Sequence, residues 1–138
     1  MPVVRNPQFY FKEGFCWNLI NGTRSENNLK FKLSYKGVND VGGMSLHNYC
    51  NCITDAFIVA LCNTPLISRY TETFVNFTVN FQVNDCRIIP IVIPTEEILQ
   101  NINELVNKII DIKKNKPNQS IRSYEEMIYK TITCLYGI

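Results

Sequence analysis

Leu29, Phe31, Leu33 and Tyr35 alternate along the chain with Lys30, Lys32, Ser34 and Lys36. A period of two predicts a strand with one buried face, and here the other face is basic. A solvated face and a phosphate-contacting face both fit that pattern. Thr78–Val83 alternates just as strictly: Val79, Phe81 and Val83 go to one side, Asn80 and Gln82 to the other, with Asn84 in line. Amide side chains both donate and accept, so such a row can read base edges, adenine especially. It can equally be a hydrogen-bonded ladder on a solvated sheet. Ahead of both, Phe9-Tyr10-Phe11, Lys12-Glu13-Gly14 and Phe15-Cys16-Trp17 read as strand, turn and strand, with a turn at Asn21-Gly22 and a polar loop through Asn28. Ile88-Ile89-Pro90-Ile91-Val92-Ile93-Pro94 reads as a short edge strand bounded by proline. Gly37, Gly42 and Gly43 are expected in turns, because Asp40-Val41-Gly42-Gly43 is too short for a phosphate loop.

The period then lengthens. Residues 52–62 place Ile53, Phe57, Ile58 and Leu61 on one helical face, and Thr64-Pro65 can start a second helix running to Phe74. Thr95 caps a third, with Glu96 and Glu97 at its positive end and Lys113 and Lys114 at its negative end. Ile98, Ile102, Leu105, Ile109 and Ile112 form a seam along it, widened by Leu99, Val106 and Ile110. That seam suits a packed helix or a coiled coil. Ser123-x-x-Glu126 is a capping-box pattern opening a last helix that closes at Gly137. Strand-like followed by helix-like periodicity predicts an α+β (mixed α/β) fold, a small twisted sheet with helices gathered at the C-terminal end. The expected organisation is a core over residues 1–94 and a helical segment over 95–138, comprising a seam helix at 95–114 and a final helix at 123–137.

The 138 residues are 46% hydrophobic and 12% aromatic, enough for one domain with a packed core. No run approaches the length of a membrane span, and Met1-Pro2-Val3-Val4-Arg5 does not resemble a signal peptide. The three Asn-x-Ser/Thr triplets therefore read as chance matches, and the six cysteines as reduced thiols of a cytoplasmic protein. Cys50 and Cys52 beside His47 lack the second ligand pair that structural zinc needs, so no metal is expected. Net charge is only +2, but residues 1–48 hold six Lys/Arg against three Asp/Glu. A phosphate-facing surface is best sought there. His47 is the single histidine and has no nucleophile in a recognisable motif. With no cofactor-binding glycine loop and no Asn/Asp-Pro-Pro-Tyr/Phe tetrapeptide, the chain offers no catalytic residues of its own.

Three stretches carry a resemblance. Asn6-Pro7-Gln8-Phe9-Tyr10-Phe11-Lys12-Glu13-Gly14-Phe15-Cys16-Trp17, followed by Asp40-Val41-Gly42-Gly43-Met44-Ser45, resembles the recognition region of large adenine-specific methyltransferases. Those occur in fused type II restriction–modification enzymes and in phage-defence methyltransferases of the BREX kind. Leu61-Cys62-Asn63-Thr64-Pro65-Leu66-Ile67-Ser68 is similar to the first part of their leucine-asparagine-serine, asparagine-phenylalanine-glutamine, isoleucine-proline-isoleucine block. Asn80-Phe81-Gln82-Val83-Asn84-Asp85-Cys86-Arg87-Ile88-Ile89-Pro90-Ile91 and Pro94-Thr95-Glu96-Glu97 are similar to the rest. Type I specificity subunits share a looser version. Tyr124 through Ile138 resembles the closing helix that ends in Leu135-Tyr136-Gly137. Cys62 and Thr64 depart from the block where it is usually aliphatic or serine.

The resemblance implies a specificity-subunit-like target-recognition domain that holds duplex DNA, while a catalytic domain in cis or in trans flips and methylates adenine. It implies a prokaryotic cytoplasmic setting, no cofactor in this chain, and S-adenosylmethionine in the missing catalytic domain, whose parent can carry a nuclease. Candidate DNA contacts are then Lys12, Lys30, Lys32, Lys36, Asn80, Gln82, Asn84 and Arg87. Two other readings stay open: a half specificity subunit that pairs through the 95–114 helix with a separate methyltransferase, and a protein-interaction domain without nucleic acid.

Overall fold

A computed structural model describes residues 6–20, 29–39 and 42–138. The expected turn at Asn21-Gly22, the loop through Asn28, and Asp40 and Val41 lie outside the described residues. The fold is α+β, a small antiparallel sheet with helices against one face.

The sheet has the order β2-β1-β3, with β1 at Gly14–Asn18 in the centre, β2 at Phe31–Ser34 and β3 at Gly43–Leu46 at its edges. In the register Trp17 faces Phe31 and Met44, and Phe15 faces Leu33 and Leu46, so all six side chains share one face. Trp17 and Phe31 stack at 4.8 Å, and the indole Nε1–H donates to the Phe81 carbonyl at 2.8 Å. The alternation of Leu29 to Lys36 thus yields a strand over Phe31–Ser34 only; Leu29 and Phe31 are buried as expected, but Tyr35, past the strand end, is exposed rather than inward. β3 was not expected. Gly43 begins a strand rather than a turn, and Gly14 lies inside the ladder rather than at a turn. A Cβ on Gly14 would strike the Leu46 carbonyl and approach His47 Nδ1 to 2.8 Å, so only glycine lets β3 cross there. The predicted strand at Phe9-Tyr10-Phe11 is instead a single 3₁₀ turn over Pro7–Phe9, with Phe11 at φ 59°.

Helix α1 (Asp55–Cys62) lies between the sheet and the C-terminal helices, buried from Phe57 through Cys62. Thr54 caps it, accepting the Phe57 N–H, and donates to Asn103 Oδ1 at 2.6 Å, which ties it to the helix behind. α2 (Pro65–Tyr70) starts at the predicted Thr64 cap and continues as a π-helical turn over Thr71–Val75. α4 (Glu96–Asn115) and α5 (Arg122–Leu135) cover α1, and a short α3 (Val83–Arg87) precedes them. Ile102, Leu105 and Val106 of α4 are buried in one core with Phe15, Trp17, Phe57, Leu61, Ile128 and Ile132. The middle of the seam therefore packs within this chain, while Ile98, Leu99, Ile109, Ile110 and Ile112 are half-buried. Ser123 is not a cap: α5 begins at Arg122, whose Nε binds Glu126 Oε1 at 2.9 Å and takes the carboxylate that a capping box would need. Gly137, at φ 71°, closes the helix as expected.

Two predicted strands are absent. Residues 78–82 run as a loop with one bridge, Ile20 to Asn80, and Val83–Arg87 is helical. Side chains capture this backbone before a sheet can. Asn76 Nδ2 donates to the Asn80 carbonyl (2.8 Å) and to Asp85 Oδ2 (2.9 Å), and Asp85 Oδ2 also accepts the Gln82 N–H (2.8 Å). Ile88 and Ile89 turn out of α3, and residues 90–94 join no sheet. Tyr136 holds them instead, its hydroxyl donating to the Pro90 carbonyl (2.7 Å) and accepting the Val92 N–H (3.3 Å). No helix among the described residues is long and apolar enough to cross a membrane.

Candidate nucleic-acid interface

The same register that buries Phe15, Trp17, Phe31, Leu33, Met44 and Leu46 turns the intervening residues outward. Lys32, Cys16 and Ser45 lie in one row across the three strands, and Ser34 faces Gly14 in the next. Lys32 apart, the outward positions are therefore small, with Ser34 and Ser45 half-buried and Gly14 already covered by the Leu46 carbonyl and His47 of this chain. Cys16 is only 5% exposed; burial pushes its thiol up, opposed by the Lys32 ammonium and the Ser34 hydroxyl beside it.

The lysines stand in and around these positions. Lys30 and Lys36 flank β2 and are exposed, as is Lys32. The Phe11 N–H donates to the Gly37 carbonyl (3.0 Å), carrying the β1–β2 pairing outward and setting Lys12 at the Lys36 end of the sheet. Lys12 Nζ lies 5.6 Å from the centre of the Phe9 ring. Among the described residues none of these four lysines has a carboxylate partner, since the one ion pair is Arg122 with Glu126. Exposed ammonium groups without carboxylate partners among the described residues make a surface suited to a line of phosphates.

Asn80, Gln82, Asn84 and Arg87 do not form the amide row expected of them. Gln82 is the N-cap residue of α3, Asn84 lies within that helix and accepts from Arg87 Nη1 at 3.4 Å, and Asn80 sits in the loop before it. All four are exposed, yet they share a loop and one helical turn, and α3 packs against β3. The lysines thus lie in and around β1 and β2, while Gln82, Asn84 and Arg87 are at α3 against β3 and Asn80 bridges to Ile20 past the end of β1.

Between the two groups lies a cleft of about 740 Å³ whose walls include both Lys12 and Arg87. Asn6, Phe9, Asn39, His47 and Tyr49 line it too, and none of these was singled out as a binding residue from the sequence. Phe9 and His47 stack at 5.4 Å with their planes 11° apart, while His47 Nδ1 lies 2.8 Å from the Glu13 carbonyl. That contact fixes the ring. Asp55 stands near it, its carboxyl raised by burial against the opposing pull of His47 and of an Asn48 backbone hydrogen bond. Aromatic and amide residues scattered over three segments leave no local motif, so only the folded chain reveals the cleft.

On its rim Cys50 and Cys52 are joined in a disulfide, in place of the reduced thiols expected. The bend that Asn48 closes by accepting the Cys50 N–H (2.8 Å) sets the two Cα atoms 5.5 Å apart, within bridging range. Cys62 and Cys86 are free and buried; burial raises both thiols, that of Cys86 to about 12. Among the described residues no three His, Cys, Asp or Glu side chains are placed to hold a metal ion. No family model, curated protein or solved structure matches the chain.

Proposed function

We propose that the chain is a DNA target-recognition module serving an adenine-specific methyltransferase, with duplex phosphates lying on the outer face of the sheet. The observation that carries this reading is the set of four exposed lysines in and around β1 and β2, free of carboxylate partners among the described residues. The resemblance of the Asn6–Trp17, Leu61–Ser68 and Asn80–Ile91 stretches supplies the methyltransferase context. Lys12, Lys30, Lys32 and Lys36 position the DNA, and the exposed Asn80, Gln82, Asn84 and Arg87 at the α3 end reach for base edges from a loop and a helix. The adenine chemistry and its S-adenosylmethionine belong to a catalytic domain in cis or in trans. On α4 the seam residues Ile102, Leu105 and Val106 are buried on their own chain, and Ile98, Leu99, Ile109, Ile110 and Ile112 are half-buried.

Fluorescence anisotropy with a labelled 20-base-pair duplex, titrated between 50 and 200 mM salt, tests the reading. Four phosphate contacts predict a slope of log K against log salt of roughly −3 to −4. Binding that ignores salt, or no binding at the lowest salt, removes it.

A further inference from the structure

We infer that the cleft beside the basic sheet face is a stacking site for a single extrahelical nucleobase, an inference that rests on the DNA-binding reading. Three observations combine. Phe9 and His47 already form a stack, with Phe9 41% exposed, and Tyr49, 76% exposed, lines the same cleft. A flat aromatic surface left open to water in a folded chain costs hydration free energy unless a ligand covers it, and every base has a face that fits. Second, His47 is held through Nδ1 at the Glu13 carbonyl, so the platform is set before a ligand arrives. Third, Asn6 and Asn39 line the cleft with side-chain amides that engage no hydrogen-bond partner among the described residues. An amide presents a donor and an acceptor side by side, the complement of a base edge freed from its pair.

Charge selects a nucleotide over a plain aromatic ligand. Lys12 stands at the mouth, 5.6 Å from the Phe9 ring centre, on the same sheet end as Lys36. A base leaving a duplex that lies across the lysines has its own phosphate next to Lys12. A volume of about 740 Å³ holds a nucleoside and leaves room for water.

The probe is a duplex with one bulged 2-aminopurine, compared with the same duplex fully paired, both against the full chain at low salt. Stacking predicts quenching of the 2-aminopurine emission and roughly tenfold tighter binding of the bulged duplex. Tyr49→Ala, at an exposed position that the core does not need, removes most of that preference and leaves affinity for the paired duplex unchanged, and Phe9→Ala removes most of it as well. Equal affinity for the two duplexes with no quenching overturns the stacking site and leaves the DNA-binding reading standing. Failure to bind either duplex overturns both. A preference that survives Phe9→Ala and Tyr49→Ala together also overturns it, since the bulge is then recognised elsewhere.

Discussion

The two faces of one three-stranded sheet are built from opposite chemistry. Inward, Phe15, Trp17, Phe31, Leu33, Met44 and Leu46 meet α1 and Phe81 in aromatic and aliphatic packing. Outward, at the positions between them, stand Gly14, Cys16, Lys32, Ser34 and Ser45. The inner face gains its stability by leaving water, so truncating a side chain there weakens the fold directly. On the outer face Gly14 and Cys16 are buried, but the exposed Lys32 contributes little to folding and carries no ion pair among the described residues, an arrangement that favours an anionic partner. What separates them is one residue of register: a slip by one would exchange the two sets. Substitutions on the two faces should therefore report through different measurements.

The largest effect is expected inside. Trp17→Ala removes a fully buried indole, its stack on Phe31 and its hydrogen bond to Phe81. It should cost about 3–5 kcal/mol in urea denaturation, a large share of the stability of a small domain. A loss under about 1 kcal/mol would mean that the inner face is not the core. Next comes Asp85→Ala, which releases both the Gln82 N–H and Asn76 Nδ2. It is expected to cost about 1–3 kcal/mol, and amide exchange should show residues 76–87 opening first. Asn63→Ala belongs to the same range. Its side chain accepts the Phe31 N–H (2.8 Å) and donates to the Phe31 carbonyl (2.9 Å), closing the outer edge of β2 as a neighbouring strand would.

The thiols divide in the same way by burial. Cys134 is exposed and should be alkylated in the native chain, whereas Cys62 and Cys86 should react only on unfolding. Their thiols are raised on folding, so the folded state holds the protons longer than the unfolded chain does. The stability they lend is complete below the ordinary thiol range near 9 and falls as pH climbs toward the Cys86 value of about 12. Urea midpoints at about pH 8 and about pH 10.5 check this, the second being expected lower.

Much of this fold is legible along the chain, and the failures are instructive. The lysine strand and the amide segment share one pattern, yet only the first is a strand. Phe31 and Leu33 find Trp17 and Phe15 across the ladder, whereas Asn76 and Asp85 claim the backbone around Asn80 and Gln82. Periodicity records which positions prefer burial; it does not record which side chains compete for the backbone. β3 escaped notice because Gly43-Met44-Ser45-Leu46 is short and opens on glycine, a residue that signals turns. Helices α1, α2 and α4 were plain because their caps are local: Thr54, Thr64 and Thr95 each accept an N–H three residues on. The lysines of the candidate interface were likewise visible in one strand. Its cleft was not, since Phe9, Asn39 and His47 meet only after folding.

The smallest folding effect belongs to the outer face. Lys30→Ala with Lys32→Ala should move stability by no more than about 0.5 kcal/mol, because both side chains are exposed and carry no ion pair among the described residues. That makes the double variant the most direct probe of what the face is for. Its affinity for a cognate and a scrambled duplex should be measured from about 50 to about 200 mM salt beside the unaltered chain. The account predicts equal weakening on both duplexes and a salt slope shallower by roughly two phosphate contacts. An unchanged slope, with the double variant folded and binding as tightly as before, would contradict it and take the phosphates off this face.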